Sequence, residues 1–296
     1  MGVFLGWTGG VFSAVLGLCV GSFANVVIWR CPQEDRTSFR PARSFCPICR
    51  TQLAGLDNIP VISWLLLGRR CRSCRVRIPG RYPAVELIVG LLFLGAWWML
   101  PPTGTEALVR LLVAFYLVAV CVIVTLIDYD HFIIPDAITL PGAALGVLLS
   151  IGFPWLQHGH LFFDAETPRL TAAVASVAGA FAGAFSLWFV GWIGNFFLKE
   201  RMREAGVEDS MGLGDVKWMA LGGAFLGVEL VLEAIMVACF AGALLGMALK
   251  LWARWRRGTA PPGIPFGPFL SLGILVELAW PGAMWHLVGQ ISAAPA

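Results

Sequence analysis

The sequence predicts an all-α polytopic membrane protein of about eight transmembrane helices, with a cytoplasmic zinc-ribbon-like loop between helices 1 and 2. Three observations carry that expectation. Of 296 residues, 58% are hydrophobic and only 13% charged, with a mean hydropathy of +0.78; a soluble domain carries about 25% charge. The apolar residues fall in long runs broken by short hydrophilic stretches. The 21 basic residues, 18 of them Arg, cluster in a few of those stretches. This composition excludes a disordered chain, a coiled coil and an ordinary soluble enzyme, and eight cysteines in such a length are too few for a disulfide scaffold.

A helix needs about 20 mainly apolar residues to cross the hydrocarbon core with its backbone satisfied internally. Met1 to Trp29 holds no charge and lacks the basic start and small-residue cleavage site of a secretory signal, so it reads as a retained first span. Further spans are predicted at Ala84–Leu100, Leu108–Ile127, Ala137–Phe153 and Leu170–Leu198. Val216–Val228 and Leu230–Leu249 follow, separated at Glu229, and Phe266–Val288 is the last. The domain reading is 1–29 as the first span, 30–82 as a four-cysteine loop domain and 83–296 as the main transmembrane domain.

Arg and Lys set orientation, because cytoplasmic segments are enriched in them. Arg30 to Arg81 holds 11 of the 21 basic residues. With the amino terminus outside, the hydrophilic segments alternate so that only Arg110 and Arg169 remain on the outer side. The same topology brings three unusual segments to the cytoplasmic face: the cysteine-rich loop, Asp128-Tyr-Asp-His-Phe-Ile-Ile-Pro-Asp136, and Gly212-Leu-Gly-Asp215. Outside, His158 and His160 have metal-like spacing but read more simply as part of a polar loop.

Cys46-Pro-Ile-Cys49 and Cys71-Arg-Ser-Cys74 are two C-x-x-C pairs 21 residues apart, close to the spacing at which two knuckles give four thiolates to a tetrahedral zinc. Thiols stay reduced in the cytoplasm, and seven arginines from Arg50 to Arg81 favour thiolate. A closed four-thiolate set leaves no open coordination position, so the expected zinc is structural. Cys19, Cys31, Cys121 and Cys239 lie in or beside apolar runs and read as packing residues.

Acids beside membrane spans are costly and each needs a reason. Asp128 closes the run ending at Ile127, at the carboxyl end of its helix, where capping cannot account for it. Asp136 follows Pro135 and reads as an N-cap; Asp130 reads as a solvated turn residue. Asp215 opens the sixth span behind Gly212 and Gly214, which let backbone approach the carboxylate. Two carboxyls on separate helices at one surface suggest aspartic-protease chemistry, in which one ionised acid activates water and the other, protonated, polarises the peptide carbonyl. Helix polarity alone places the proton on Asp128 and leaves Asp215 ionised.

These residues resemble the type IV prepilin peptidases, GxGD-type aspartic proteases of the bifunctional leader peptidase and N-methyltransferase kind. The resemblance runs from Gly21-Ser-Phe-Ala-Asn-Val-Val-Ile28 to beyond Gly267. Its most specific parts are Asp57-Asn-Ile-Pro60 with Ser63-Trp64, the two cysteine pairs, Arg81-Tyr-Pro-Ala-Val-Glu86, the Asp128–Asp136 segment, and Gly212–Asp215 followed by Lys217. The resemblance implies a multi-pass enzyme of the bacterial inner membrane with a periplasmic amino terminus and a cytoplasmic active site. It implies cleavage of the short basic leader of prepilins or pseudopilins of type IV pili or type II secretion, typically between Gly and Phe. N-methylation of the new terminus from S-adenosylmethionine would follow. By motif position the catalytic pair is Asp128 and Asp215, with Asp136 in the same motif as the alternative first acid. Gly212, Gly214, Lys217 and Glu86 are supporting residues, and Glu86 is expected to pair with Arg81 or Lys217.

The gap from Asp128 to Asp215 is longer than is usual for the family, with the excess expected at Pro154–Arg169 and in a loop Lys199–Asp209. No Gly-rich strand-turn-helix marks a methyl-donor site; the four-cysteine loop is the expected location. The implied partners are prepilin or pseudopilin substrates and membrane lipid, with no nucleic acid. Glu34, Asp35, Glu200, Glu204, Glu208 and Asp209 are the acids expected to receive a basic leader. The rival readings are a proton-coupled transporter using the same acids as a relay, and a non-enzymatic scaffold, which leaves Asp128 without a reason.

Overall fold

A computed structural model describes residues 2–32, 44–157, 168–204, 211–255 and 263–282. Among these it is all-helical. In chain order the helices are α1 (Gly2–Arg30), a short α2 (Ile62–Leu66), α3 (Arg81–Met99), α4 (Thr105–His131), α5 (Asp136–Gly152), α6 (Arg169–Glu204), α7 (Leu213–Trp255) and α8 (Gly267–Ala279). Five of them, α1, α3, α4, α6 and α7, are long and apolar enough to cross a membrane, while α5 and α8 are shorter apolar helices. The chain divides into two compact units, Met1–Ile127 and Asp128–Ala296.

In the first unit α1 packs along α3. The Trp97 indole N–H donates to the Gly6 carbonyl at 3.0 Å, and Phe93 stacks on Phe115 of α4 with ring centroids 4.1 Å apart. Between α1 and α3 the loop folds on a small core of its own. Trp64 of α2 donates through Nε1 to the Ile78 carbonyl at 3.1 Å, and the Arg69 guanidinium lies 4.9 Å from the Trp64 ring.

In the second unit α6 runs against α7, which also packs on α5 and α8. Close approach of α6 and α7 depends on glycine at their crossing: a Cβ on Gly223 would lie 2.0 Å from the Gly179 carbonyl oxygen. Helix α7 has 43 residues, which at 1.5 Å per residue would span roughly 64 Å, about twice the ~30 Å core. It is divided at Gly227, whose φ of 75° and ψ of −179° are open only to glycine. The two predicted spans are therefore present, but the break falls at Gly227, two residues before Glu229. Backbone geometry, not the charge, sets it.

A helix that stops at Gly227 leaves the carbonyls of its last turn without intrahelical partners, which is costly in a membrane. Two buried side chains answer this. Ser176 Oγ donates to the Ala224 carbonyl at 2.6 Å, and Gln157 Nε2 donates to it at 3.2 Å and to Ser150 Oγ at 2.9 Å. Gln157 and Ser176 are both 0% exposed. The predicted outer loop thus begins by plugging the core, in a 3-10 turn at Pro154–Gln157. Helix α6 also continues past Leu198 to Glu204, so the first part of the expected Lys199–Asp209 loop is helix. His158 and His160 lie outside the described residues, as do Glu34, Asp35, Glu208 and Asp209.

Thermal unfolding in detergent micelles checks the account of the break. Ser176→Ala and Gln157→Leu alone should each cost about 1 kcal/mol. The double variant, which leaves the Ala224 carbonyl bare, should cost more than the two singles combined.

Candidate functional site

The second unit gathers the acids. Asp128 sits in the last turn of α4 and is 6% exposed. The helix ends just beyond it: the Phe132 N–H donates to the Asp128 carbonyl at 2.8 Å, with Phe132 at φ 55°, and Pro135 then prevents continuation. Asp215 sits in the first turn of α7, where its N–H donates to the Gly212 carbonyl at 3.1 Å. The two carboxyl groups lie within Coulombic reach of each other. Residues 87 positions apart in the chain are thus brought to one place.

Glycine makes the approach possible. A Cβ on Gly214 would lie 3.0 Å from the Ile134 Cβ, so the bare backbone lets the start of α7 sit against the Asp128–Asp136 segment. Gly267, the first residue of α8, was not singled out from the sequence. Its N–H donates to Asp128 Oδ2 at 2.8 Å, and a Cβ there would lie 2.6 Å from that oxygen. The signal available was a Gly-Pro step opening an apolar run, a common way to start a helix. The same contact removes the helix-polarity ground for the expected assignment of the proton. Asp128 faces the amino end of α8 as well as closing α4, so helix polarity no longer selects it as the protonated acid. Its Oδ2 is the acceptor in that bond.

Asp136 is engaged elsewhere. It is the first residue of α5, not its N-cap, which is Pro135. Lys217 Nζ lies 2.7 and 2.8 Å from its two carboxylate oxygens. Lys217 therefore serves Asp136 and not Glu86 as expected. Glu86, in α3 of the first unit, is 8% exposed and accepts hydrogen bonds from the Val61 N–H at 2.7 Å and from the Ser22 hydroxyl. Asp130 is exposed as expected, but it lies within the last turn of α4 and not in a turn beyond it.

The four cysteines form a separate centre in the first unit. Their Sγ atoms all lie within 4.8 Å of one another, and Cys46 and Cys74 are 3.9 Å apart. A tetrahedral zinc with 2.3 Å bonds to sulfur would space its ligands by about 3.8 Å, so four soft donors at this separation fit such an ion. The two pairs are built alike. Arg50 N–H donates to the Cys46 carbonyl and Arg75 N–H to the Cys71 carbonyl, at 2.8 and 3.0 Å, with both arginines at positive φ. Isolated antiparallel bridges, Phe45 with Gln52 and Arg70 with Arg77, flank them. The Thr51 hydroxyl beside Cys49 holds its thiol down to about 6, and the main-chain N–H groups of Cys74 and Ser73 hold Cys71 below the ordinary thiol value. Asp57, with a side chain 5% exposed, takes Arg72 in a fork: Nη2 is 2.5 Å from Oδ1 and Nε 3.1 Å from each oxygen. That hydrogen-bonded guanidinium holds Asp57 below the usual carboxylate value. Of the remaining cysteines, Cys121 is buried as a packing residue would be, while Cys19 and Cys239 are exposed on their helices.

Two family models match the chain: the bacterial peptidase A24 N-terminal domain over residues 15–100, and the type IV leader peptidase family over residues 115–247. A prepilin leader peptidase/N-methyltransferase of Myxococcus xanthus is 40% identical over 275 residues, covering 92% of this chain and 73% of the relative. One of the same name from Aeromonas hydrophila is 33% identical, with 92% of each chain covered. A type 4 prepilin-like proteins leader peptide-processing enzyme of Escherichia coli is 31% identical over 89% of this chain and 91% of its own length. No solved structure matches the chain.

The contacts around Asp128 and Asp136 lead to different expectations for stability. Asp136 and Lys217 are 56% and 35% exposed, so Asp136→Asn should cost no more than about 1 kcal/mol. Gly267→Ala, which crowds a buried carboxylate, should cost about 1–3 kcal/mol. Thermal unfolding of both variants in micelles makes the comparison.

Proposed function

The chain belongs to the type IV leader peptidase family, and from that membership we infer that it is a multi-pass membrane enzyme with prepilin leader peptidase and N-methyltransferase activities. The peptidase chemistry is assigned to Asp128 and Asp215. The observation that carries the assignment is the meeting of these two acids, from the end of one helix and the start of another, within Coulombic reach of each other. One carboxylate takes a proton from water as the oxygen attacks the scissile carbonyl, and the protonated partner donates to that carbonyl and later to the leaving amine. The Gly267 N–H holds Asp128 Oδ2 in place, leaving Oδ1 to face the substrate or the partner acid. Asp136 is a positioning residue: its ion pair with Lys217 ties the start of α5 to the first turn of α7, beside Asp215.

Cys46, Cys49, Cys71 and Cys74 are assigned to a structural zinc. Bound there, the ion crosslinks the two knuckles and supplies folding energy to a loop with little core of its own. Residues 30–82 are assigned to this loop domain, and its arginines support a cytoplasmic position at the inner membrane with the amino terminus in the periplasm. S-adenosylmethionine supplies the methyl group when bound. Glu200, exposed at the end of α6, belongs to the acidic stretch through Asp209 that receives the basic leader.

Purified protein in detergent, given a synthetic prepilin, should release the leader and add 14 Da, one methylene net of methylation, to the new amino terminus by mass spectrometry. Asp128→Asn and Asp215→Asn should each lower leader release by at least about 10³-fold with thermal midpoints preserved, while Asp136→Asn should stay within about tenfold of wild type. Asp136→Asn falling as far as Asp128→Asn would move the first catalytic acid. Metal analysis should find one zinc per chain, lost in the quadruple Cys→Ser variant.

A further inference from the structure

The four-cysteine loop of the first unit carries an apolar patch on its outside. Leu56, Ile59, Ile62, Leu65 and Leu66 are all exposed, Leu66 by 82%. The first four recur at three-residue steps through the 3-10 turn Gly55–Asn58 and α2. Between them, Asp57 and Trp64 are engaged within the loop, with Arg72 and with the Ile78 carbonyl. Five large apolar side chains left uncovered within eleven residues mark a surface that has a partner.

The patch has a fixed level relative to α3. That helix has 19 residues, roughly 28 Å at 1.5 Å per residue, so it has no length to spare against a core of about 30 Å. Glu86 is five residues beyond Arg81, the first of the helix, and so about 7.5 Å along the axis. The Val61 N–H donates to Glu86 Oε2 at 2.7 Å. Val61, one residue before α2, is therefore held level with the first turns of α3, at the membrane edge. Amphipathic interfacial segments bury their apolar side about 5–10 Å deep at that level. The bond keeps the chain there against its own preference, since Val61 has φ 62° and ψ −50°, a region β-branched residues avoid. Basic side chains follow the patch. Residues 44–81 hold seven arginines and one acid, Asp57, which Arg72 already pairs. Arg70 and Arg77 face each other across an antiparallel bridge just beyond α2, and with Arg75 they are exposed.

We propose that Gly55–Leu66 is an interfacial anchor that seats the four-cysteine loop on an anionic lipid surface. Its leucines and isoleucines lie among the upper acyl chains, and Arg70, Arg75 and Arg77 lie on the lipid phosphates. A bilayer edge with anionic headgroups matches the surface twice, in apolarity and in charge. The loop is also joined at both ends to helices long enough to cross the membrane, α1 and α3, so the bilayer is always within its reach. This role is separate from leader cleavage and methyl transfer, and it stands or falls independently of them.

Photocrosslinking of the full chain in lipid nanodiscs tests the anchor. The probe is a lipid with a diazirine near the top of its acyl chain, and adducts are mapped by peptide mass spectrometry, with those on α1 and α3 as the internal reference. In nanodiscs of phosphatidylcholine mixed with phosphatidylglycerol, the peptide spanning residues 55–66 should take adducts as the two helices do. The double variant Leu65→Gln/Leu66→Gln should lower its yield at least about fivefold relative to the helices. The triple variant Arg70→Gln/Arg75→Gln/Arg77→Gln, or phosphatidylcholine alone, should lower it at least about threefold. Thermal midpoint and zinc content report that each variant is folded. Adducts on the helices with none on residues 55–66 would overturn the anchor, as would a yield that the folded leucine variant leaves unchanged. A yield indifferent to both the arginines and the anionic lipid would overturn the choice of an anionic surface. A dimer by native mass spectrometry, with residues 55–66 crosslinked to a second copy and not to lipid, would assign the patch to self-association instead.

Discussion

The Asp128 carboxylate accepting the Gly267 N–H is the contact on which the proposed chemistry of the second unit depends. It ties the last turn of α4 to the first residue of α8, 139 positions away, and does so at a buried oxygen. Position 267 must be glycine for the two to meet at 2.8 Å, since a single added carbon would lie closer to the oxygen than the N–H donor does. The bond gives one carboxylate a fixed direction, and a pair of acids can share a proton productively only if at least one is held still. Asp215 then needs only to be delivered nearby, which the glycines ahead of it allow.

The rest of the second unit is arranged to keep that delivery in place. A 43-residue apolar helix must break to fit a membrane, and the break at Gly227 frees carbonyls that Gln157 and Ser176 then occupy. The ion pair of Asp136 with Lys217 holds the other end, where α5 and α7 begin. Gln157 and Ser176 answer a local need of the backbone, and the ion pair joins two side chains near two helix starts. None of these groups is Asp128 or Asp215, yet all lie in the elements that carry Asp215 or pack against them.

Much of this was legible in the sequence, because membrane spans and C-x-x-C pairs are local patterns. The apolar runs gave the long helices to within a few residues at most ends, and the cysteine spacing anticipated the four-sulfur cluster. The partners were not legible, since they depend on which helices touch. Lys217 was one of two expected partners of Glu86, with Arg81, and pairs instead with Asp136; Asp136 was expected to cap a helix that Pro135 caps; Glu229 was expected to end a span that Gly227 ends. Gln157 and Ser176 carry no signal of their own, and the Gly267-Pro268 step signals only the start of a helix. A small or amide residue in an apolar run has meaning only once the carbonyl or carboxylate it faces is known.

The central claim is that Asp128 and Asp215 act as one catalytic unit, and a double-mutant cycle on leader release addresses it directly. Groups that share a proton and a substrate fail together, so removing the second after the first should cost almost nothing. The account predicts that the protein lacking both carboxylates cleaves as slowly as either single variant and no slower. Losses that multiply, with the double variant slower by the product of the two single effects, would mean that the acids work independently and would contradict it.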